Sequence, residues 1–250
     1  MITRKSADQI ALMRKAGTVV AEMHEVCIRA AKPGASTLDV DAAARDVIDK
    51  RGARSNFLNY HGFPAVVCTS PNDVIVHGIP SADVVLEDGD ILSIDCGAII
   101  EGWHADAAVT VPVGEIDEES KRLIEVTRAS LEAAIDQVVE GRRLGDIGAA
   151  VEGIAEGAGF AVVREYVGHG IGTAMHEEPQ VPNYGPAGRG LKLKEGHVLA
   201  IEPMVNAGSA QTEVLEDGWT VVTKDHRRSA HFEHTIAVTD HGPEVLTLPW

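Results

Sequence analysis

The sequence predicts a mixed α/β fold, more strictly α+β, in which a unit of two helices followed by strands occurs twice. Hydrophobic periodicity runs in the order helix, helix, strands, and then repeats that order along the 250 residues. A segment that begins at Leu86 also recurs at Leu193, an offset of 107 residues. We therefore expect one domain over residues 1–250, with pseudo-repeats of about 1–110 and 111–250 related by a pseudo-two-fold axis.

The first half opens with a helix that carries a clear start signal. Ser6-Ala7-Asp8-Gln9 forms a capping-box pattern, apolar or small residues follow at helical spacing, and Pro33-Gly34 ends the helix. A second helix is predicted over residues 37–52. Apolar tracts then predict strands over residues 65–69, 91–95 and 107–113.

The second half repeats this order. Helices are predicted over residues 118–139 and 145–157, and strands over residues 162–167, 197–201, 220–223 and 234–238. The offset of 107 aligns Leu86–Asp95 with Leu193–Glu202, and it also pairs Gly34 with Gly141. Two unrelated loop-glycine-strand segments would give part of this pattern, but duplication accounts for all of it. In a duplicated chain, Asp95 and Glu202 are structural counterparts.

Composition indicates an acidic protein of a reducing compartment. Lys and Arg number 22 against 38 Asp and Glu, so the net charge of −16 argues against nucleic acid or anionic membrane as a partner. No apolar run approaches the ~20 residues of a membrane helix. Met1–Ser6 leads into no apolar segment, so no secretory signal is predicted. Cys27, Cys68 and Cys96 are odd in number and widely spaced, which predicts free thiols and a cytoplasmic location.

A pair of acids in the first half suggests metal chemistry. Asp95 ends an apolar tract and Asp106 follows eleven positions later, so a tight loop through Gly97 and Gly102 would place them on adjacent antiparallel strands. Buried carboxylates repel one another unless a cation neutralises them. An acid at a strand end is also commonly solvated or capping, and the pair alone leaves both interpretations open.

The second half supplies matching groups. His169 lies between two glycines, Glu202 follows an apolar strand, and Glu233 precedes another. Four carboxylates and one imidazole form a donor set that suits Mn, Fe, Co or Zn, and two such ions can share a hydroxide and polarise a carbonyl. A lone histidine between glycines is more often a packed residue. The sequence has no HExxH zinc motif, no GxSxG motif and no phosphate loop.

Together these segments resemble the type I methionine aminopeptidases of the bacterial kind, in peptidase family M24. The matching segments span nearly the whole chain: Tyr60–Pro64, Asn72–Pro80, Asp88–Asp95, His104–Thr110, Gly168–Pro179, Ile201–Met204 and Trp219–Thr235. The resemblance implies the pita-bread fold, an internally pseudo-symmetric domain around a curved antiparallel sheet. It also implies metal-dependent removal of the N-terminal methionine from nascent proteins and peptides with a small second residue.

The resemblance further implies a ligand set for two divalent ions, which would be Co, Mn, Fe or Zn. Asp106 and Glu233 would bridge the ions, Asp95 would bind one of them, and His169 and Glu202 would bind the other. The implied reaction is attack by a water or hydroxide that bridges the two ions. Glu202 would also act as the general base on that water.

Two more histidines and a second cation site follow from the same resemblance. His77 would contact the scissile amide nitrogen, and His176 would hydrogen-bond the substrate carbonyl as negative charge develops there. Asn72, Val74 and Ser229 match a monovalent-cation site in relatives, formed mostly by backbone oxygens.

The implied methionine pocket is apolar and narrow. Its lining residues match at four positions: Tyr60, Phe63, Cys68 and Trp219. The chain departs at the rim, where Phe57 stands in place of a common Cys and Met175 in place of a common Phe. These departures are either neutral drift or a reshaped entrance that changes which second residues are accepted.

The implied partners are nascent polypeptides with an N-terminal methionine, met through transient proximity to the ribosome. We expect a monomer that binds neither nucleic acid nor membrane. A prolidase or X-Pro aminopeptidase shares the metal ligands, but such enzymes usually carry an additional N-terminal domain for which 250 residues leave no room. A non-catalytic binding module or metal-dependent hydrolysis of another bond are further alternatives. The intact ligand set argues against the binding module.

Overall fold

Four α-helices and a set of mostly short strands build the described part of the chain, residues 2–248 of a computed structural model. The helices are α1 (Ala7–Ala30), α2 (Thr37–Arg51), α3 (Glu118–Ile135) and α4 (Leu144–Gly157), and a 3-10 turn covers Tyr60–Gly62. The first-half strands are β1 (Arg54–Ser55), β2 (Val67–Pro71), β3 (Val74–Val76), β4 (Ile91–Ile100) and β5 (Trp103–Pro112). The second-half strands are β6 (Ala161–Val162), β7 (Gly168–Gly170), β8 (Glu177–Val181), β9 (Val198–Ile201), β10 (Met204–Asn206), β11 (Thr212–Val214), β12 (Val221–Thr223), β13 (Ser229–His231), β14 (His234–Thr239) and β15 (Gly242–Val245).

The first two helices begin and end where local chemistry places them. Ser6 Oγ accepts from Gln9 N at 3.3 Å, and Ser6 N donates to Gln9 Oε1 at 2.9 Å, so the predicted capping box is formed. Ser36 and Asp39 form the same box for α2, and Gly52 ends that helix in the left-handed region at φ 60°. Both predicted helices are confirmed.

Hydrogen bonds reproduce the predicted internal repeat at the predicted offset. Gly34 N donates to Leu86 O at 2.8 Å, and the equivalent bond from Gly141 N to Leu193 O is 3.0 Å. The isolated bridge between Ser36 and Val85 likewise has its counterpart 107 residues on, between Arg143 and Lys192. The same local structure therefore forms twice, which confirms the repeat of two helices and strands.

The hairpin that carries the first pair of acids differs from the prediction. β4 does not end at Asp95 but continues to Ile100, because the turn lies at Glu101-Gly102, both with positive φ (51° and 83°). Gly97 is therefore a strand residue and not part of the loop. A Cβ there would lie 2.4 Å from the Asn56 side-chain nitrogen, so this close approach requires glycine.

The corrected register still brings the two acids together. Asp106 pairs with Gly97 across the β4–β5 ladder, and Asp95 pairs with Ala108. Since Asp95 and Gly97 point to the same face of β4, Asp95 and Asp106 are diagonal neighbours on one face of the hairpin. The predicted proximity on adjacent antiparallel strands is confirmed.

A short junction between β5 and β14 joins the two halves. Ala108 N donates to Glu233 O at 3.2 Å and Glu233 N donates to Ala108 O at 2.9 Å. Each half packs its own helix pair on its own strands and so has its own hydrophobic core. One core includes Val20, Val40 and Ile94, and the other includes Leu123, Ile147 and Leu199, all buried.

The remaining predicted boundaries shift by a few residues, and one fails. The strand predicted at 65–69 lies at 67–71, and the helix predicted to 139 ends at Ile135. The strand predicted over 162–167 covers only Ala161–Val162, because the chain leaves the sheet before β7 begins. The three cysteines are buried and unpaired, as expected. Within residues 2–248, no helix is both long and apolar enough to cross a membrane.

Candidate active site

Four carboxylates converge from strands of both halves. Asp95 and Asp106 come from the middle of the β4–β5 hairpin, Glu202 directly follows β9, and Glu233 lies between β13 and β14. Glu233 reaches the hairpin through its backbone bridge to Ala108, the residue opposite Asp95. The junction of the two halves thus places acids that are up to 138 residues apart in sequence, Asp95 and Glu233, around one point.

Burial of these acids makes their charges costly. The exposed fractions of Asp106 and Glu233 are 3% and 2%. Burial raises the pKa of Asp95 to about 7. Burial, followed by repulsion from Glu233 and Asp95, holds the pKa of Asp106 well above its ordinary range. Burial and the neighbouring acids likewise raise the pKa values of Glu202 and Glu233. Without a cation, the cluster therefore favours protonated carboxyls.

A divalent metal ion fits this cluster. Asp95 Oδ1, Asp106 Oδ1 and Glu233 Oε1 are buried atoms with no hydrogen-bond partner. Buried polar atoms are normally satisfied, and no cationic side chain forms an ion pair with these three acids among the described residues. Carboxylate oxygens that lack a donor are suited to a hard or borderline divalent ion, which would also neutralise their repulsion.

His169 adds a nitrogen donor beside the acids. Its Nδ1 lies 2.9 Å from Gly170 O, and its Nε2 lies 3.5 Å from Glu202 Oε1. If Nδ1 donates to that carbonyl, the lone pair of Nε2 faces the cluster, an arrangement typical of metal-binding histidines. Burial lowers the pKa of His169 to about 4, so the ring is neutral. Added Cβ atoms on its glycine neighbours would lie 2.4 Å or less from backbone oxygens, which explains the Gly-His-Gly sequence.

A cavity of about 130 Å³ opens onto the acids. It is lined by all thirteen residues predicted for the metal centre, the reacting groups and the methionine pocket: Phe57, Tyr60, Phe63, Cys68, His77, Asp95, Asp106, His169, Met175, His176, Glu202, Trp219 and Glu233. The rings form its apolar end, with Phe63 packed edge-on against Trp219 at 5.2 Å and against Phe57 at 6.5 Å. The cavity lining therefore combines a cluster of acidic side chains with a cluster of aromatic side chains.

The two predicted reacting histidines flank the acids. His176 Nδ1 is hydrogen-bonded to the Tyr60 hydroxyl at 2.8 Å, and its ring lies 4.4 Å from that of His169. His77 has φ 60° and lies edge-on to the rings of Tyr166 and Trp219. Burial first, and then the neighbouring His176, lowers the pKa of His77 to about 4. Both groups are uncharged hydrogen-bonding partners near neutral pH, because burial also lowers the pKa of His176.

The predicted monovalent-cation residues lie outside the cavity lining. Ser229 N donates to Asn72 O at 2.8 Å, so two of the three residues are in direct contact. Val74 lies two residues beyond Asn72 in β3. The cation site itself stays a prediction.

Sequence reasoning missed a buried ion pair that orders the loop of His176. Lys5 Nζ lies 2.7 Å from Glu177 Oε2, and Glu177 Oε1 accepts from Thr173 N at 2.8 Å. The Lys5 side chain is 4% exposed. No local pattern could have revealed this pair, because Lys5 is 172 residues from Glu177.

His231 was also missed as a site residue. It is 2% exposed, its Nε2 has no hydrogen-bond partner, and that atom lies 3.7 Å from Glu202 Oε2. With Glu202 and Glu233 it forms one of two donor groups close enough to hold an ion, the other being Asp106, His169 and Glu233. The available signal was its spacing of two residues from Glu233, because residues two apart on an extended segment face the same side.

Comparison with known proteins shows which family the chain resembles in sequence and in fold. The model of the metallopeptidase family M24 matches residues 8–240. A methionine aminopeptidase of Clostridium acetobutylicum is 50% identical over 248 residues, which cover 99% of both chains. The solved methionine aminopeptidase of Thermotoga maritima superposes with a TM-score of 0.98 at 44% identity, covering all of both chains. The predicted fold is thereby confirmed.

The same fold occurs in a more distant enzyme. A prolidase from Pyrococcus horikoshii superposes with a TM-score of 0.78 at 23% identity, and the chain covers 64% of its length. This likeness shows the fold alone. The prolidase also contains a substantial part that the chain does not match.

Proposed function

The chain belongs to metallopeptidase family M24, and from that membership we propose that it removes the N-terminal methionine from proteins and peptides with a small second residue. It is a hydrolase of the metallo-exopeptidase class, since relatives about half identical over nearly the whole chain are methionine aminopeptidases. The prolidase alternative is not favoured, because that likeness is lower and leaves a third of the prolidase unmatched. The observation that carries the proposal is the set of buried, unpartnered carboxylate oxygens at the floor of an aromatic cavity.

Family membership implies divalent metal, and we propose that this chain holds two ions. Asp95, Asp106, His169, Glu202 and Glu233 would hold them, with Asp106 and Glu233 available to both ions, Asp95 to one, and His169 and Glu202 to the other. When bound, ions such as Co, Mn, Fe or Zn supply Lewis-acid activation of water and of the scissile carbonyl. The 3.5 Å separation of His169 Nε2 and Glu202 Oε1 supports their assignment to one ion. A monovalent cation near Asn72, Val74 and Ser229 belongs to the same proposal.

Three side chains of the chain handle protons and developing charge. Glu202 accepts the proton of the attacking water, a role supported by its place in the lining of the cavity beside the other acids. His176 donates from Nε2 to the carbonyl oxygen as it becomes negative, because Tyr60 occupies its Nδ1. His77, which also lines the cavity, contacts the scissile amide nitrogen.

The aromatic end of the cavity receives the methionine side chain. Tyr60, Phe63, Cys68 and Trp219 provide apolar contact for the flexible thioether, and sulfur packs favourably against ring edges. Phe57 and Met175 also line the cavity and are 7% and 5% exposed. The small volume of the cavity, about 130 Å³, supports the preference for a small second residue.

We infer the cellular setting from the substrate class. Newly made polypeptides carry the N-terminal methionine, so we place the enzyme in the cytoplasm, in transient proximity to ribosomes. The whole chain works as one catalytic unit and as a monomer. Neither nucleic acid nor membrane takes part.

A peptide panel tests this proposal. The metal-loaded enzyme should release methionine from Met-Ala and Met-Gly peptides at least about tenfold faster than from Met-Leu peptides, in keeping with discrimination by pocket size. It should leave Pro-Xaa peptides intact, and likewise Xaa-Pro peptides whose first residue is not methionine, and Glu202→Ala should release no methionine from the methionine peptides. Faster cleavage of the proline peptides would overturn the proposed specificity.

A further inference from the structure

His231 has a buried imidazole ring whose Nε2 atom lacks a hydrogen-bond partner. Its Nε2 is one of the few buried side-chain atoms of the described residues without a hydrogen bond, and the residue is 2% exposed. Leaving such a nitrogen unpaired costs about 1–3 kcal/mol. An orphaned atom of this kind beside a proposed metal centre calls for a group that binds it.

Distances to Glu202 are those of ligands that share an ion. Two donors that each lie about 2.0–2.2 Å from one ion are at most about 4.4 Å apart. His231 Nε2 lies 3.7 Å from Glu202 Oε2, and His169 Nε2 lies 3.5 Å from Glu202 Oε1. Each separation is long for a hydrogen bond and within the span of a shared ion. The Glu202 carboxylate therefore lies between two imidazoles, each facing a different oxygen.

The internal symmetry puts His231 at the position of an acid in the first half. Val109 of β5 pairs with Ile94 of β4, and His234 of β14 pairs with Ile201 of β9, so β5 and β14 are related by an offset of 125 residues when β4 is aligned with β9. At that offset, the counterpart of Asp106 is His231.

Two threonines show that the correspondence is structural and not only numerical. Thr235 Oγ1 accepts from Asp106 N at 3.0 Å and donates to Asp106 O at 2.8 Å. Its counterpart Thr110 accepts from His231 N at 2.8 Å and donates to His231 O at 2.8 Å. The backbone of His231 is therefore held in the same way as that of Asp106, a proposed metal ligand.

We propose that His231 is a sixth protein ligand of the metal centre, in which its Nε2 binds an ion together with Glu202 and Glu233. This assignment rests on the proposed metal-dependent function and extends it. The centre then has two imidazoles and four carboxylates as its protein ligands. Because imidazole suits Zn and Fe whereas carboxylate suits Mn, the second imidazole should shift the metal preference of the centre towards Zn and Fe.

Cobalt binding tests the proposal without reference to turnover. Chelator-treated enzyme is titrated with Co²⁺ in a calorimeter, and X-ray absorption then counts imidazoles on the bound cobalt. The wild type should show two imidazoles in each dinuclear centre, and His169→Gln should retain one. His231→Gln should also retain one and should bind one Co²⁺ at least about tenfold more weakly. His197→Gln, which alters a buried histidine at the start of β9, is the matched control and should behave as the wild type.

The outcomes separate this inference from the proposed function. A single imidazole in the wild type, or none on cobalt bound to His169→Gln, would overturn the assignment of His231. Thermal unfolding of each metal-free variant checks the fold. If His231→Gln does not fold, the numbers of imidazoles on cobalt in the wild type and in His169→Gln are sufficient to test the assignment of His231. A wild type that binds no divalent ion would instead refute the proposed function itself.

Discussion

At the residue scale, the site depends on which ring nitrogen of each histidine faces the cavity. The Nδ1 atoms of His169 and His176 are both engaged, the first with Gly170 O and the second with the Tyr60 hydroxyl. In each ring Nε2 is left for the cavity. The chain thus sets ring orientation before any substrate arrives, which lowers the entropic cost of reaching a reactive geometry.

Replacing Tyr60 by Phe should show the value of this orientation. The ring and its contact with the methionine side chain remain, but the hydrogen bond to His176 is lost. Since one such bond is worth about 1 kcal/mol, kcat on a Met-Ala peptide should fall about fivefold with little change in KM. Tyr184→Phe, which removes a hydroxyl bonded to Arg164 O, is the matched control. Equal kinetics in the two variants would show that Tyr60 does not position His176.

The identity of the site residues was predictable, but their bonds to one another were not. Motif spacing and family resemblance led to every one of the thirteen residues that line the cavity. The bond from Tyr60 to His176 joins residues 116 apart, and the pair of Lys5 and Glu177 spans 172. Such contacts depend on how the halves pack, which no local pattern records. His231 was missed because its 3.7 Å approach to Glu202 depends on how separate strands pack, although its spacing from Glu233 was a usable signal.

At the element scale, side-chain hydroxyls complete the junction of β5 and β14. Of the residues that the structure describes, only Ala108 and Glu233 form a backbone bridge there. On either side, Thr110 and Thr235 accept from and donate to the facing backbone at Oγ1 distances of 2.8–3.0 Å. These threonines satisfy backbone groups that the ladder would otherwise leave buried and unpaired.

Replacing Thr235 by Val should therefore destabilise the protein out of proportion to the small change in shape. Asp106 N–H and C=O would each lose their partner, which should lower the free energy of unfolding by about 1–3 kcal/mol. Thr212→Val on β11, where no side-chain hydrogen bond needs replacing, should change stability by less than about 0.5 kcal/mol. Urea unfolding measures the change in the free energy of unfolding for both variants. Equal changes would show that the hydrogen bonds of the Thr235 hydroxyl do not stabilise the junction.

Elements with local signals were predictable and those defined by pairing were not. The capping boxes of Ser6 and Ser36 mark the helix starts, and the structure confirms both. The β4–β5 hairpin was misread because Gly97 looked like a turn residue, whereas it is glycine to admit Asn56. Most strands of three residues or fewer went unpredicted, because they are held by their neighbours and lack a pattern of their own.

At the scale of the whole molecule, some of the acidic side chains are buried together inside the protein. The net charge is −16, yet four acids lie together at the junction of the halves, and within residues 2–248 no Lys or Arg forms an ion pair with them. Folding must bring these carboxylates together, so the metal-free protein bears a cost that bound cations would remove. Metal binding should consequently stabilise the fold.

The pH dependence of metal-free stability should reveal this cost. The pKa of Asp95 rises from 3.8 to about 7 on folding, so the folded chain keeps a proton that the unfolded chain has released. Stability is therefore greatest below about pH 4 on this account and falls as pH rises towards 7, by at most about 1.4 kcal/mol per pH unit for one group. Thermal unfolding of chelated protein between pH 4.5 and pH 7 checks the sign of the slope.

Two controls accompany the measurement of thermal unfolding against pH. Asp95→Asn in chelated form should make the slope shallower, because the amide does not titrate and only the other three acids still contribute. Saturating Mn²⁺ should reverse it for the wild type, since bound metal requires ionised carboxylates and lowers their pKa values. A chelated protein that becomes more stable as pH rises would contradict the repulsion inferred for the acidic cluster.

The most direct measurement is methionine release by metal-free and reconstituted enzyme. The protein is treated with chelator until metal analysis finds none, and free methionine from a Met-Ala peptide is then measured alone and after addition of Mn²⁺, Fe²⁺, Co²⁺ or Zn²⁺. We predict no release without metal and restored release with at least one of the four ions. Full activity in the verified metal-free protein would contradict the claim that this buried cluster of acids and imidazoles is a metallopeptidase centre.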